Sequence, residues 1–452
     1  MFWRRKKNRA AAEPATNQPP APTSALPAPT PPVVTELPDD SAAQTSPAFP
    51  TQLPAGPTDI FMSIAPFPTP DTAPWVGAVL HLAGTAPTVE DLRGRLAPQI
   101  ESLPCLNYRL DVTAAPPQWV LARAEIAEHV TELTTADLDA AVRDLLREPL
   151  PAETAPWRLT LVKGYAPDRY ALFYRVSHGL QDMTGMAATF ESLFAPQVPR
   201  ERSSGFLPGL AGVTIPAEIV AAAVGQMSAM PAIPVESWVT TSSSADRVHT
   251  WVTVTNDQLA SAGHGRATRN DVYLAALAHA VGEWVRDDVS PDGGATLPAM
   301  IPMNACYPDE IGQPGNRFAT SRLELPAAKL SIQECLEQTV AVTPPLMSRT
   351  GRFLLRRASE AMPLDKMAEI GMKAPGIVVS NFVLRNDLRL GGDPVERVQP
   401  IGFCLANAPL MALAVTYRDQ TTIDFVTDPA VPGTARIPTR WQAAVNELAA
   451  LV

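Results

Sequence analysis

The sequence has a shortage of basic charge and no long apolar run, and both features exclude classes of protein. Its 36 Lys and Arg face 46 Asp and Glu, which gives a net charge of −10 and a pI near 5.2. A general nucleic-acid binder presents a basic surface, so we do not expect nucleic acid as a partner. No apolar run reaches about 18 residues, and no transmembrane helix is predicted.

Cysteine is also scarce. The four cysteines lie far apart, with neither a CxxC pair nor a Cys/His cluster: Cys105, Cys306, Cys335 and Cys404. Zinc sites bring such ligands together at short spacings, so we predict no metal site. The simplest interpretation is four buried thiols in a reducing compartment.

The first 57 residues are rich in Pro, Ala, Thr and Ser and contain few large apolar side chains. Such a composition cannot offset its ordering entropy, so residues 1–57 are predicted to be a disordered or polyproline-like extension. The opening MFWRRKKNR lacks the apolar stretch of a signal peptide. It serves either as a solubilising start or as a weak contact with an anionic membrane. The folded region is expected to begin near Asp59.

Beyond the extension, predicted strands and helices alternate in both halves of the chain. Two apolar runs, 157–162 and 170–176, predict a hairpin, and 267–285 predicts a long buried helix. Residues 400–417 are predicted to be a strand. The pattern favours an α+β protein with a 58–200 lobe, a 201–245 crossing segment and a 246–452 lobe.

The segment YRVSHGLQDMTG, 174–185, is the main candidate for chemistry, because the predicted hairpin runs directly into it. A histidine in a loop after a strand can act as a general base, since its pKa lies near working pH. Asp182, four residues after His178, would either pair with an arginine or cap the N–H groups of the next helix. The spacing alone is weak evidence, and a packed core histidine is the alternative.

The context strengthens this interpretation. VSHGLQDMTG, with APWRLTLV upstream, resembles the HHxxxDG motif of acyltransferases with the chloramphenicol-acetyltransferase-like fold. It is most similar to the bacterial wax ester synthase/diacylglycerol acyltransferase family. The resemblance covers about 57–452. It extends, in order, through GPTDIFMSIAPFPTPDTAPWVGAVLHL, RNDVYLAALAHAV, IPMNACYPDEIGQPGNRFATSRLELP, VVSNFV and DFVTDPAVPG.

This resemblance implies a two-lobed, condensation-domain-like fold with a channel between the lobes. It implies that His178 deprotonates a hydroxyl or amine, which then attacks an acyl thioester, while Asp182 has a structural role. The co-substrate would be acyl-CoA or an acyl-carrier thioester, with no other cofactor and no cysteine nucleophile. A long-chain alcohol or diacylglycerol is the family's usual acceptor, and a specialised metabolite is the alternative.

Two positions depart from the family's motif. Ser177 replaces its first histidine, and Met183 replaces its glycine. Met183 would be strained if the turn needs φ > 0, unless Gly179 and Gly185 supply that freedom. The base itself is retained, so we expect an active enzyme. The alternative is a catalytically silent module that binds an acyl or lipid ligand.

Other polar residues are candidates for substrate contact. Ser177, next to His178, is predicted to line the site. Asn270 and Asp271 begin an apolar helix, so they either cap it or line the site as well. Ser380 and Asn381 end an apolar strand, and the resemblance places them near the channel. The arginine that pairs with Asp182 has three candidates: Arg175, Arg317 and Arg322. The other five histidines are predicted to be non-catalytic: His81, His129, His249, His264 and His279.

Asn316, within PGNR, is interpreted as a turn residue. Asp424 and Asp428 are interpreted as strand-edge and turn residues. We expect a cytoplasmic protein, and we leave open whether it contacts the inner face of the membrane or a carrier protein through its N-terminal extension.

Overall fold

The computed structural model describes residues 49–64, 74–195, 207, 210, 212–228, 246–290, 296–372, 377–404, 408 and 410–451. The predicted extension therefore lies outside the described residues up to residue 48, as does most of the predicted crossing segment.

Fifteen strands are described, and their bounds are as follows. They are β1 Gln52–Pro54, β2 Trp75–Ala83, β3 Tyr108–Asp111, β4 Gln118–Leu121, β5 Val130–Thr134, β6 Trp157–Ala166, β7 Arg169–Ser177, β8 Val248–Thr255, β9 Thr296–Asn304, β10 Phe318–Pro326, β11 Ile377–Leu384, β12 Arg389–Leu390, β13 Asp393–Ile401, β14 Leu410–Tyr417 and β15 Gln420–Thr427.

Twelve α-helices are described between these strands. They are α1 Pro57–Ile64, α2 Val89–Ser102, α3 Ile126–His129, α4 Leu138–Arg147, α5 Met183–Phe194, α6 Ala217–Ser228, α7 Asn256–Ala262, α8 Arg269–Trp284, α9 Ile332–Val342, α10 Arg349–Ala361, α11 Leu364–Met372 and α12 Ile437–Ala450.

Two six-stranded mixed sheets form the centres of two lobes. The N-terminal lobe has the order β12-β13-β2-β7-β6-β5, and the C-terminal lobe has the order β10-β9-β11-β14-β15-β8. Strands β12 and β13 come late in the chain, yet β13 pairs antiparallel with β2 and so joins the first sheet. This crossover ties the two lobes together.

Local sequence signals account for many of these elements. Thr88 accepts a hydrogen bond from the Asp91 N–H and begins α2, and Thr268 forms a capping box with Asp271 at the start of α8. The predicted hairpin is β6 and β7, which pair antiparallel. Strand β7 is buried along nearly its whole length, because the sheet is covered on both faces.

One large core joins the lobes. It contains residues of β2, β6 and β7 and extends to Val378 and Phe382 of β11 and Leu413 of β14. A second core fills the space between the C-terminal sheet and helices α8, α9 and α12. The α+β class that the sequence predicts is confirmed by this mixture of layers.

Three sequence-based boundaries differ from the structure. Ser380 and Asn381 do not end a strand, because β11 continues to Leu384. Residues 400–417 are not one strand, because β13 ends at Ile401 in the first sheet and β14 begins at Leu410 in the second. An apolar run does not show where a chain leaves one sheet and enters another. Residues 49–57 are part of the fold, since β1 pairs with β4 and the Tyr108 hydroxyl donates to the Pro50 carbonyl at 2.6 Å.

All four cysteines are buried free thiols. Among the described residues, no helix is both long and apolar enough to cross a membrane.

Candidate active site

His178 is the first residue after β7, and the loop 178–182 separates that strand from α5. Its N–H donates to the Pro74 carbonyl at 2.7 Å. The Ser177 carbonyl accepts the N–H groups of Leu180 and Gln181, which turns the chain tightly behind the histidine. These backbone hydrogen bonds therefore fix the position of the His178 Cα, from which the imidazole extends.

The His178 side chain binds Asn316, which lies in the loop between β9 and β10. Nδ1 of His178 lies 2.8 Å from Oδ1 of Asn316. The Asn316 amide nitrogen donates to the carbonyls of His178 and Gly179 at 2.9 and 3.1 Å, and lies 3.2 Å from Oδ1 of Asp59. Because the nitrogen faces only acceptors, the amide oxygen must face the ring. Nδ1 therefore carries the hydrogen, and Nε2 keeps a lone pair.

The burial of the imidazole favours its neutral form. Burial lowers the pKa of His178 below its ordinary value, while a hydrogen bond with the main chain of His178, the carboxylates of Asp182 and Asp59 and the bond to Asn316 oppose that shift. The rings of Phe318 and Phe403 meet the imidazole edge-on, with centroids 5.9 and 5.4 Å away. The ring is thus in a mostly apolar place, with charge nearby to stabilise an imidazolium.

Asp182 has two main-chain partners. Oδ1 accepts the Gly185 N–H at 2.8 Å and so caps α5, and Oδ2 accepts the Arg317 N–H at 2.7 Å. Of the two roles that the sequence left open, capping is the one seen. The expected guanidinium partner is not among the described contacts of this carboxylate. Arg317 instead contacts Glu310, Arg175 stacks near Trp75, and Arg322 pairs with Glu324.

Asp59 is a site residue that the sequence reasoning did not identify. It is buried in the first turn of α1, and Oδ1 accepts the Asn316 N–H at 2.6 Å. Oδ2 accepts the Gly56 N–H and the Trp119 indole N–H at 2.9 and 3.3 Å. Burial raises the pKa of Asp59, and Arg317 opposes the rise. The available signal was a lone acid within the apolar segment PTDIF.

Asn316 was also missed, because PGNR is typical of a turn. A turn is indeed present, and Gly315 has φ of +100°. What the local pattern does not show is the partner, which lies 138 residues earlier in the chain. Only the resemblance, which includes this segment, pointed to the region.

Of the two departures from the motif, Ser177 ends β7, and Met183 is accommodated without backbone strain. Met183 is the first residue of α5 and is not among the residues with positive φ, so no glycine is required there. A Cβ on Gly179 would lie 1.9 Å from the Ser63 hydroxyl oxygen, so a larger residue there would have to displace that side chain. The expectation that Gly179 and Gly185 supply positive φ is wrong, since neither has it.

Four other predicted site residues make no hydrogen bond to this cluster among the described contacts. Asp271 caps α8 and accepts the Thr343 hydroxyl at 2.7 Å. Asn270 accepts a hydrogen bond from the amide of Asn381. Ser380 is buried on the face of β11 that carries Val378 and Phe382, so it faces the core shared with the motif's lobe. Of these four, Ser380 has the placement that best suits substrate contact, and the roles of all four stay predictions.

A surface cavity of about 570 Å³ lies elsewhere, beside β5 and β6. Glu128, Glu132, Glu148 and Arg158 are among its lining residues. None of them belongs to the His178 cluster, and the site is therefore defined by its hydrogen bonds rather than by this cavity.

The two lobes and the position of the histidine loop define the chloramphenicol-acetyltransferase-like, condensation-domain-like fold. No protein-family model matches the sequence, and no curated protein matches it. Solved structures do. The wax ester synthase/diacylglycerol acyltransferase from Marinobacter aquaeolei VT8 is 17% identical, with a TM-score of 0.60 over 88% of this chain and 100% of that one.

Condensation domains are similar to a comparable degree. A variant of the starter condensation domain of rhizomide synthetase RzmA, in complex with C8-CoA and Leu-SNAC, is 14% identical with a TM-score of 0.62 and covers 89% of this chain and 94% of that one. The first condensation domain of the CDA synthetase is 16% identical with a TM-score of 0.60, over 88% and 95%. At these identities the likeness establishes the fold alone.

Proposed function

We propose that the protein is an acyltransferase in which His178 is the general base. The observation that carries the proposal is the 2.8 Å contact between Nδ1 of His178 and Oδ1 of Asn316, which leaves Nε2 as the basic atom of a neutral ring. A general base needs this protonation state near neutral pH.

The reaction follows from that geometry. Nε2 takes the proton of an acceptor hydroxyl or amine as its oxygen or nitrogen attacks the thioester carbonyl. The tetrahedral intermediate then collapses, the carbon–sulfur bond breaks, and the thiolate receives the proton from the imidazolium. Asp182 and Asp59, whose charges raise the pKa of His178, stabilise the imidazolium between these steps. General-base catalysis of this kind contributes about 10²–10⁴-fold.

The donor and acceptor classes rest on the fold and on the apolar rings beside the base. An acyl thioester is the donor, as acyl-CoA or as an acyl-carrier thioester. Phe318 and Phe403 flank the imidazole, which favours an acceptor with hydrocarbon next to its reacting group, such as a long-chain alcohol or diacylglycerol. An amine-bearing metabolite is the second acceptor class to be tested.

The test measures thiol release from acyl-CoAs of several chain lengths, with and without hexadecanol, a diacylglycerol or a primary amine. His178→Gln is expected to lower acceptor-dependent release by at least 10²-fold, within the range of general-base catalysis. His279→Gln, which changes a histidine beside Glu283 on α8, is the matched control and is expected to keep full activity.

The outcomes separate the two functions considered for this chain. Full activity in His178→Gln would remove the proposed mechanism. Tight binding of acyl-CoA without release, for every acceptor and also for a carrier-protein donor, would instead identify a silent acyl-binding module.

A further inference from the structure

The side chain that binds Nδ1 of His178 belongs to the other lobe. His178 follows β7 of the N-terminal lobe, whereas Asn316 lies in the connection between β9 and β10 of the C-terminal lobe. A free imidazole distributes its proton between both nitrogens, so a fixed Nδ1–H requires a fixed acceptor. In this molecule the side-chain acceptor, Oδ1 of Asn316, comes from a separate sheet.

The segment 312–317, which we call the docking loop, contacts the motif's lobe along its length. The Gly312 carbonyl accepts the Cys105 N–H at 2.9 Å, and the Gly315 N–H donates to the Leu180 carbonyl at 2.7 Å. The N–H groups of Asn316 and Arg317 donate to Asp59 and Asp182. These bonds surround the hydrogen bond between Asn316 and the imidazole.

The docking loop is also braced on its own side. The Arg317 guanidinium donates to the carbonyls of Pro314 and Asn316, and its Nε lies 3.1 Å from Glu310. Arg356 of α10 in turn donates two hydrogen bonds to Glu310 at 2.6 and 2.7 Å. These contacts therefore stabilise one conformation of the docking loop, in which Asn316 lies beside His178.

We propose that the base is assembled from both lobes: the docking loop is the positioning element, Asn316 fixes the tautomer of His178, and Asp59 fixes Asn316. This inference rests on the proposed function and adds to it a condition for activity. His178 is competent only while the docking loop is seated. Asn316 and Asp59 are positioning residues, because neither needs to touch the substrate.

The experiment reads the tautomer directly. Full-length protein labelled with ¹⁵N-histidine is examined by long-range ¹H–¹⁵N correlation NMR, and the His178 signals are assigned by their loss in His178→Gln. Wild type is expected to show one Nδ1–H tautomer, and Asn316→Ala a mixture. Turnover of Asn316→Ala should fall by about 10²-fold, the lower end of a general base's contribution, with an unchanged KM for the acyl donor.

A second variant displaces the docking loop without removing a polar side chain. Gly315 has φ of +100°, and a Cβ there would lie 2.6 Å from an Asp59 carboxylate oxygen. Gly315→Ala should therefore unseat the docking loop and reproduce the tautomer mixture of Asn316→Ala. His279→Gln, which lies on α8 and outside the docking loop, is the control and should keep the His178 signals and the turnover of wild type.

A single Nδ1–H tautomer and full turnover in folded Asn316→Ala would overturn the inference. If Asn316→Ala does not fold, Asn316→Ser, which keeps a small hydrogen-bonding side chain, and Gly315→Ala decide by the same spectrum. Loss of activity in His178→Gln together with a wild-type spectrum in these variants would refute the positioning role of the docking loop and leave the proposed function standing. Activity in His178→Gln would refute the proposed function itself.

Discussion

Two acidic residues at helix starts, Asp182 and Asp271, have similar local roles but differ in their second hydrogen-bond partner. Each accepts a backbone N–H or hydroxyl in the first turn of a helix. The second partner of Asp271 is the hydroxyl of Thr343, within its own lobe. The second partner of Asp182 is the N–H of Arg317 in the docking loop, across the lobes. Asp271 completes a helix, whereas Asp182 also joins the docking loop to the motif's lobe.

The comparison predicts different consequences for Asp182→Ala and Asp271→Ala. Each should lower the free energy of unfolding by about 2 kcal/mol, through a lost cap and a stranded buried donor. Only Asp182→Ala should also lower turnover, by about 10-fold or more, because the docking loop loses an anchor. Denaturant unfolding and thiol release, measured on both variants, check this.

A changed KM or turnover in Asp271→Ala, with the fold intact, would contradict the comparison. It would show that Asp271 lines the site as the sequence first suggested. Equal turnover in both variants would remove the special role given to Asp182.

The pH dependence gives a second way to sharpen the comparison. In the proposed mechanism the base must be neutral. Burial lowers the pKa of His178 from its ordinary value of 6.5, so kcat/KM should be flat near pH 7 and fall only at lower pH. Below its pKa the rate should fall about tenfold per pH unit. An acid limb at or above pH 6.5 would contradict the buried, neutral histidine.

Stability should follow the same direction. Because the pKa of His178 is lower in the folded state, the unfolded chain binds its proton more readily once the pH falls below about 6.5. The folded state is therefore destabilised as the pH falls through that window, with no contribution from this group above it. His178→Gln should lack this part of the pH dependence, which unfolding curves at a series of pH values can measure.

The same contrast explains what the sequence revealed and what it hid. The α8 cap, the β6–β7 hairpin and the histidine loop depend on neighbours a few residues apart, so local patterns predicted them. Asn316 contacts residues 137 and 138 positions earlier in the chain, and Asp59 contacts one 257 positions later. No local pattern specifies such pairs.

The division between β13 and β14 was hidden for a related reason. Both segments are buried and apolar, and their membership of different sheets depends on which strand each one meets. The hydrophobic pattern of a strand indicates that it is buried, but it does not indicate which strand it pairs with. Three-dimensional assembly decides these points.

The smallest predicted effect concerns Met183, the position where the motif departs from glycine. Its backbone begins α5 without positive φ, and its side chain packs against the core of the motif's lobe. Met183→Gly should therefore lower the free energy of unfolding by about 1 kcal/mol, since glycine is a poor helix former and loses this packing. Turnover should stay within about twofold of wild type, since the caps on α5 and the docking loop do not involve this side chain. A large gain in turnover in thiol-release assays would mean instead that Met183 obstructs a substrate, and that the departure from the motif shapes the site rather than the helix.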